Sequence, residues 1–161
     1  MADEQQTPSE QTVAPTKPDA PPPAAATVKS EPKYGYWWGT GRRKASVARV
    51  RIRPGEGKFI INGREIEKYF TEIRDRNDIV EPLNVCKARE SIDVFVNVNG
   101  GGYTGQAGAI RLGVSRALKI YDSTLEETLR NENMLSRDPR RVERKKYGQP
   151  GARKRFQFSK R

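Results

Sequence analysis

The chain has 161 residues, with 31 Lys and Arg against 20 Asp and Glu, a net charge of +11 and a sequence pI near 10.0. It has no His and a single Cys, Cys86, which excludes His-based triads, His metal sites, an internal disulfide framework and multi-Cys zinc sites. No apolar run approaches the roughly 18 residues of a membrane-spanning helix, and the cationic excess points to a polyanionic partner, nucleic acid before anionic lipid.

The charge is unevenly placed. Residues 1–38 hold five acids and three lysines. Residues 39–136 hold 17 bases and 13 acids, and residues 137–161 hold 11 bases and two acids, a net of +9 in the last stretch. Seven of the 11 prolines fall in the first segment, including Pro21-Pro22-Pro23 before Ala24-Ala25-Ala26. Residues 1–33 therefore read as a disordered Pro/Ala-rich extension that buries too little surface to offset its ordering entropy. It lacks the basic start and apolar core of a signal peptide.

A globular body is expected over 34–136, with order starting near Tyr34–Trp38. Ser46–Arg53 alternates Ala48, Val50 and Ile52 with Arg49, Arg51 and Arg53, the period-two pattern of a strand with one apolar and one cationic face. Pro54-Gly55-Glu56-Gly57 is turn chemistry, so Lys58–Ile61 is expected to return as the second strand of a hairpin. Asn62-Gly63 marks another turn. Arg64–Phe70 suits a short helix presenting Ile66, Tyr69 and Phe70. Asp78–Cys86 is ambiguous, since Pro82 limits a helix there. Ile92, Val94, Val96 and Val98 share one face of a further strand.

Gly105–Asp122 reads as the central helix, with Ala107, Ile110, Val114, Ala117, Leu118 and Tyr121 on one stripe. Ser123/Thr124 with Glu126/Glu127 carry a capping-box signature, opening a second helix with Leu125 and Leu129 inward. These elements predict a two-layer α+β domain, a small sheet covered by helices on one face. Arg137–Arg161 has almost nothing to bury and reads as an extended basic tail that could span about 80 Å.

Gly100-Gly101-Gly102-Tyr103-Thr104-Gly105 matches G-x-G-x-x-G between a strand and a helix, but no second parallel strand ending in an acid follows, as a dinucleotide fold requires. Gln106-Ala107 stand where a P-loop needs Lys and Ser/Thr. The loop is then a tight turn, or a phosphate contact through backbone N–H groups at a helix N-terminus. Cys86 has no His to activate it and reads as a small buried residue.

Cations organise the remaining surface. Arg42, Arg43 and Lys44 open the body, and Arg49 and Arg51 continue that charge along one strand face. In the tail, Arg140-Arg141, Arg144-Lys145-Lys146, Arg153-Lys154-Arg155 and Lys160-Arg161 alternate with Tyr147, Phe156 and Phe158. Arginine forks suit phosphate, and aromatics between basic clusters suit stacking in RNA. Gly101, Gly102, Gln106 and Arg116 join this set as expected RNA contacts around the glycine loop and its helix.

The run from Gly100 through Gly105-Gln106-Ala107-Gly108-Ala109-Ile110-Arg111-Leu112-Gly113-Val114-Ser115-Arg116-Ala117-Leu118, the block Gly39-Thr40-Gly41-Arg42-Arg43-Lys44 and the ending Gln157-Phe158-Ser159-Lys160-Arg161 together resemble the universal small-subunit ribosomal protein nine family, in its bacterial form. The resemblance covers about Trp38 to Arg161. It implies a small α/β domain with a left-handed crossover, shared with some small-molecule kinases, so that the glycine loop need not be catalytic. It further implies a non-enzymatic, cytoplasmic ribosomal role without a cofactor or a membrane. The implied partners are 16S rRNA, neighbouring head proteins and peptidyl-site tRNA, the last touched by Ser159, Lys160 and Arg161. Residues 1–33 lie outside the family pattern, and Trp37-Trp38 replaces a smaller aromatic, which predicts extra packing or stacking there.

Overall fold

The computed structural model describes residues 31–159. Residues 1–30 of the Pro/Ala-rich extension, and Lys160 and Arg161, lie outside the described residues. Five strands form one mixed sheet in the order β1-β2-β5-β3-β4. They are β1 (Trp37–Arg43), β2 (Ser46–Pro54), β3 (Phe59–Ile61), β4 (Arg64–Glu65) and β5 (Ile92–Asn99). The helices are α1 (Ile66–Tyr69), α2 (Ile73–Val85), α3 (Tyr103–Tyr121) and α4 (Leu125–Asn131). This is the expected α+β domain. Residues 137–159 contain neither helix nor strand.

The three periodic elements fall as their patterns require. Ala48, Val50 and Ile52 of β2 and Ile92, Val94, Val96 and Val98 of β5 are buried on the sheet's inner face. The predicted α3 stripe is buried too, and Tyr121 packs against it. The helix starts at Tyr103, two residues before the expected Gly105, with Gly102 in the N-cap position. Leu112, Gly113 and Ser115 are also buried. α3 is enclosed on more than one side because α2 packs against it while it lies over β1 and β2.

Close approach to β1 is possible because the two central inward positions of that strand are glycines. A Cβ on Gly39 would overlap the Gly113 carbonyl, and one on Gly41 would overlap the Ala109 carbonyl. In return, a Cβ on Gly113 would stand 2.6 Å from Val50 Cγ2. Backbone therefore meets backbone between strand and helix. Trp37 closes the end of this seam, buried and edge-on to Tyr121 with ring centroids 4.9 Å apart, as the extra packing expected of the tryptophan pair.

The expected hairpin of Ser46–Arg53 with Lys58–Ile61 does not form. β2 pairs antiparallel with β1 and β5, and β3 pairs parallel with β5 and antiparallel with β4. β5 thus inserts between the two segments. The turn residues are satisfied by Asp93 of β5. Its Oδ1 accepts the Glu56 and Lys58 amides, both at 3.0 Å, and its Oδ2 accepts Arg53 Nε at 3.2 Å. Burial opposes the charge on Asp93, but the two amides and the guanidinium outweigh it and hold the carboxyl below its ordinary value.

Asn62-Gly63 does turn the chain, with both residues at positive φ (47° and 78°) between Ile61 and Arg64. Asn62 also extends the β3–β5 pairing with its side chain. Its amide Nδ2 donates to the Val98 carbonyl at 3.0 Å, and its Oδ1 accepts the Val98 amide at 3.0 Å.

Three further expectations are corrected. Arg64–Phe70 divides into strand β4 and the single turn α1, with Phe70 buried just beyond. Of the ambiguous Asp78–Cys86 stretch, Asp78 through Val85 belongs to α2, with Pro82 inside it and Cys86 at its C-cap. An interior proline removes one helical hydrogen bond at a cost of about 3 kcal/mol, offset here because Ile79, Pro82 and Leu83 are all buried. The capping box before α4 is absent. Thr124 Oγ1 donates to Asp122 Oδ1 at 2.7 Å, and Glu126 is taken by Lys119 and Arg130. Leu129 is nevertheless fully buried and Leu125 packs on the core.

The glycine seam gives a direct test. Gly41→Ala is expected to lower stability by about 2–3 kcal/mol, measured by urea denaturation, whereas Gly63→Ala at the open turn should cost less than half of that despite its positive φ.

Candidate nucleic-acid interface

Because all the helices sit on one side, the other face of the sheet is open. Strand pairing sets its side chains in cross-strand rows. Trp38, Arg51 and Phe95 form one row, Thr40, Arg49 and Asn97 the next, and Arg42, Val47 and Asn99 the third. Arg42, Arg49 and Arg53 are exposed and Arg51 is half-buried. The strands carry two acids, Asp93 and Glu65, and both are ion-paired, with Arg53 at 3.2 Å and Lys68 at 3.0 Å. Arg42, Arg49 and Arg51 form no ion pair among the described residues. The period-two arginine pattern thus becomes an open face whose positive charge is left unneutralised by its own strands.

The other expected contacts have different surroundings. Lys44 is exposed at the tip of the β1–β2 turn with φ 51°. Arg43 points to the helical side, where Nε donates to Asp138 Oδ2 at 3.1 Å and one terminal nitrogen to the Thr104 carbonyl at 2.9 Å. Arg116 donates to the Thr40 carbonyl at 2.8 Å, tying α3 to β1. Gln106 is held twice, donating to the Gly100 carbonyl at 3.1 Å and accepting from the Tyr69 hydroxyl at 2.9 Å. Gly100 and Gly101 have φ of 75° and 65°. Any Cβ on Gly101 would overlap Ser46 Oγ, which itself donates to the Gly100 carbonyl at 3.0 Å. These contacts give the loop the structural explanation, a tight turn pressed against β2. Gly102 is exposed at the start of α3.

At the root of the tail, Arg43, Arg111, Arg137 and Arg140 line a cleft of about 350 Å³ with Asp138 as its acid. Arg111 was not singled out from sequence, because it reads as an ordinary polar residue of the central helix. Its pair, Glu81 at 3.0 Å, lies on α2. Asp138 takes both Arg43 and Arg140, each at 3.0 Å. The Arg140 side chain and amide, with Arg43, hold the Asp138 carboxyl far below its ordinary value.

Further along, Glu143 pairs with Arg153 at 2.9 Å and Lys146 at 3.5 Å. Arg144 donates to the Lys145 carbonyl. Arg141, Lys145, Lys154, Arg155 and Ser159 are exposed.

Cys86 is half-buried, and burial, with the Asp122 charge, pushes its thiol up to about 11. A thiol so far from ionisation is a poor nucleophile. Among the described residues no cluster of acids and Cys could hold a metal ion, and no helix is long and apolar enough to cross a membrane.

The Asp138 contacts predict a latch. Asp138→Ala is expected to speed limited tryptic cleavage after Arg140 several-fold while leaving the thermal midpoint of the body nearly unchanged. A depressed carboxyl keeps the latch closed above the ordinary Asp value and releases it only as pH falls through the lowered one. Cleavage by an acid-active protease should therefore rise in the wild type only well below pH 4.

Comparison with known proteins places the chain in a family. A small ribosomal subunit protein uS9 from Rhodopirellula baltica is 52% identical over 134 residues, covering 83% of this chain and 98% of that relative. The family described as ribosomal protein S9/S16 matches residues 41–161, from Gly41 within β1 through the basic tail. With three quarters of its length matched and a relative spanned almost end to end, the chain belongs to the ribosomal protein S9/S16 family.

Proposed function

We propose that the chain is a non-catalytic structural component of the small ribosomal subunit in the cytoplasm. Its body, 34–136, anchors on 16S rRNA of the head beside neighbouring head proteins, and its tail, 137–161, reaches the anticodon stem of peptidyl-site tRNA. The observation that carries this reading is the placement of charge. An open sheet face presents Arg42, Arg49 and Arg51 without an acid partner among the described residues, and 11 of the chain's bases follow in the last 25 residues with only two acids. Arginines so placed match successive phosphates, and each contact releases counterions.

The roles differ by segment. On the body, Arg42, Lys44, Arg49 and Arg51 are assigned to rRNA phosphates. Arg43, Gln106, Gly101 and Arg116, each engaged internally, shape the surface that meets RNA, with Gly102 at the loop edge. In the tail, Arg140, Arg141, Arg144, Lys145, Lys146, Arg153, Lys154 and Arg155 are assigned to rRNA, and Ser159, Lys160 and Arg161 to tRNA.

The experiment is complementation of a strain lacking the native protein, followed by gradient sedimentation. The full chain is expected in the small-subunit peak, and its absence from that peak would end the ribosomal assignment. A chain lacking Phe158–Arg161 should still enter the peak while subunits carrying it bind peptidyl-site tRNA several-fold more weakly in a filter assay. Loss of incorporation instead would reverse the assigned roles.

A further inference from the structure

The aromatic residues beside the arginine face have no part in phosphate neutralisation. Trp38, Arg51 and Phe95 share one row across β1, β2 and β5. The Arg51 guanidinium lies 5.4 Å from the Tyr36 ring and 5.6 Å from the Phe95 ring, and the Arg53 guanidinium lies 5.2 Å from Phe95. Tyr36 and Phe95 meet edge-on with centroids 6.1 Å apart. Trp38 is 44% exposed, and its indole Nε1 donates to the Lys33 carbonyl at 3.3 Å, which sets the ring's orientation. The same ring lines a mostly apolar groove of about 460 Å³, shared with Tyr34, Tyr36, Trp37 and Ile120, with Glu31 and Lys33 as its charged lining residues. Tyr34 is 85% and Ile120 46% exposed. That volume lies within the range of about 300–1,000 Å³ typical of small-ligand pockets.

We infer that this corner is a stacking site for an unpaired RNA nucleotide, with the base in the Trp38–Tyr34–Ile120 groove and the adjoining phosphates on Arg51 and Arg49. The inference rests on the RNA-binding reading above and adds to it the chemical form of RNA recognised. Charge and shape choose the occupant. Arg49 and Arg51 have no acidic partner among the described residues and call for an anion, and the groove calls for a flat apolar face. An unpaired nucleotide supplies both, a few ångströms apart. Duplex RNA hides its base faces and can use only the arginines. Tyr34, Tyr36, Trp37 and Trp38 precede residue 41, where the family match begins.

The test uses the full-length chain with a fluorescently labelled ten-nucleotide oligoadenylate and an RNA duplex of equal phosphate number, at about 150 mM salt. The wild type is expected to bind both, with quenching of tryptophan emission by the single strand alone. Trp38→Ala should weaken single-strand binding by about 5- to 150-fold, the range for losing one stacked base, and change duplex affinity less than twofold. Trp38→Phe should recover most of the loss. Unchanged single-strand affinity in Trp38→Ala, or an equal loss for both RNAs, would overturn the stacking site while leaving RNA binding intact. Wild-type chain that binds neither RNA would overturn the RNA-binding reading itself, and the stacking site with it. Polyglutamate binding that is tighter than binding of either RNA and is lost in Trp38→Ala would make the corner a docking face for an acidic protein and would equally overturn it.

Discussion

Helix α3 rests on β1 and β2 at backbone distance, and the layout of the molecule follows from that contact. Gly39 and Gly41 leave no side chain between strand and helix, and Gly113 receives Val50 on the opposite surface. A helix seated this closely excludes water from one face of the sheet and buries Ala48, Val50 and Ile52 beneath it. Since β-strand side chains alternate, the same register places Arg49, Arg51 and Arg53 on the uncovered side. The tight inner seam and the cationic outer face are two consequences of one strand register, and a one-residue slip would exchange them.

Two carboxylates organise the long-range parts of a basic chain. Asp93, buried at the end of β5, gathers the Glu56 and Lys58 amides and Arg53, fixing the loop that lets β5 enter between β2 and β3. Asp138, at the root of the tail, gathers Arg43 and Arg140. Both carboxyls are held below their ordinary values, so both remain charged through the neutral range. The two acids on the strands, Asp93 and Glu65, are paired with Arg53 and Lys68, and Arg42, Arg49 and Arg51 have no ion pair among the described residues.

What could be read in the sequence was whatever is local and amphipathic. The alternation of β2, the Ile92–Val98 face and the α3 stripe each declare themselves within a dozen or so residues, and each is buried as expected. β1 gave no such signal, because its two central inward positions, Gly39 and Gly41, bury backbone instead of side chain. The hairpin after β2 was misread because Pro54-Gly55-Glu56-Gly57 has turn chemistry whichever strand lies beside it. Its actual partner, Asp93, is 37 residues beyond Glu56. The helix around Pro82 was hidden by a local cost that only tertiary burial offsets. In the candidate interface, the cations of the open face were legible from register. The commitment of Arg43 to Asp138, 95 residues away, was not, nor was the groove that Trp38 shares with Ile120 from the far end of α3.

The measurement closest to the central claim is the orientation of this domain in an assembled subunit, by density or by site-directed cleavage from probes placed on each face. Probes at Thr40 and Asn97 on the open sheet face should cut adjacent RNA strongly, and probes at Asn77 and Asn84 on α2 only weakly. Strong cleavage from α2 with a silent sheet face would contradict the account, because the arginine register would then be pointing away from the RNA it is proposed to bind.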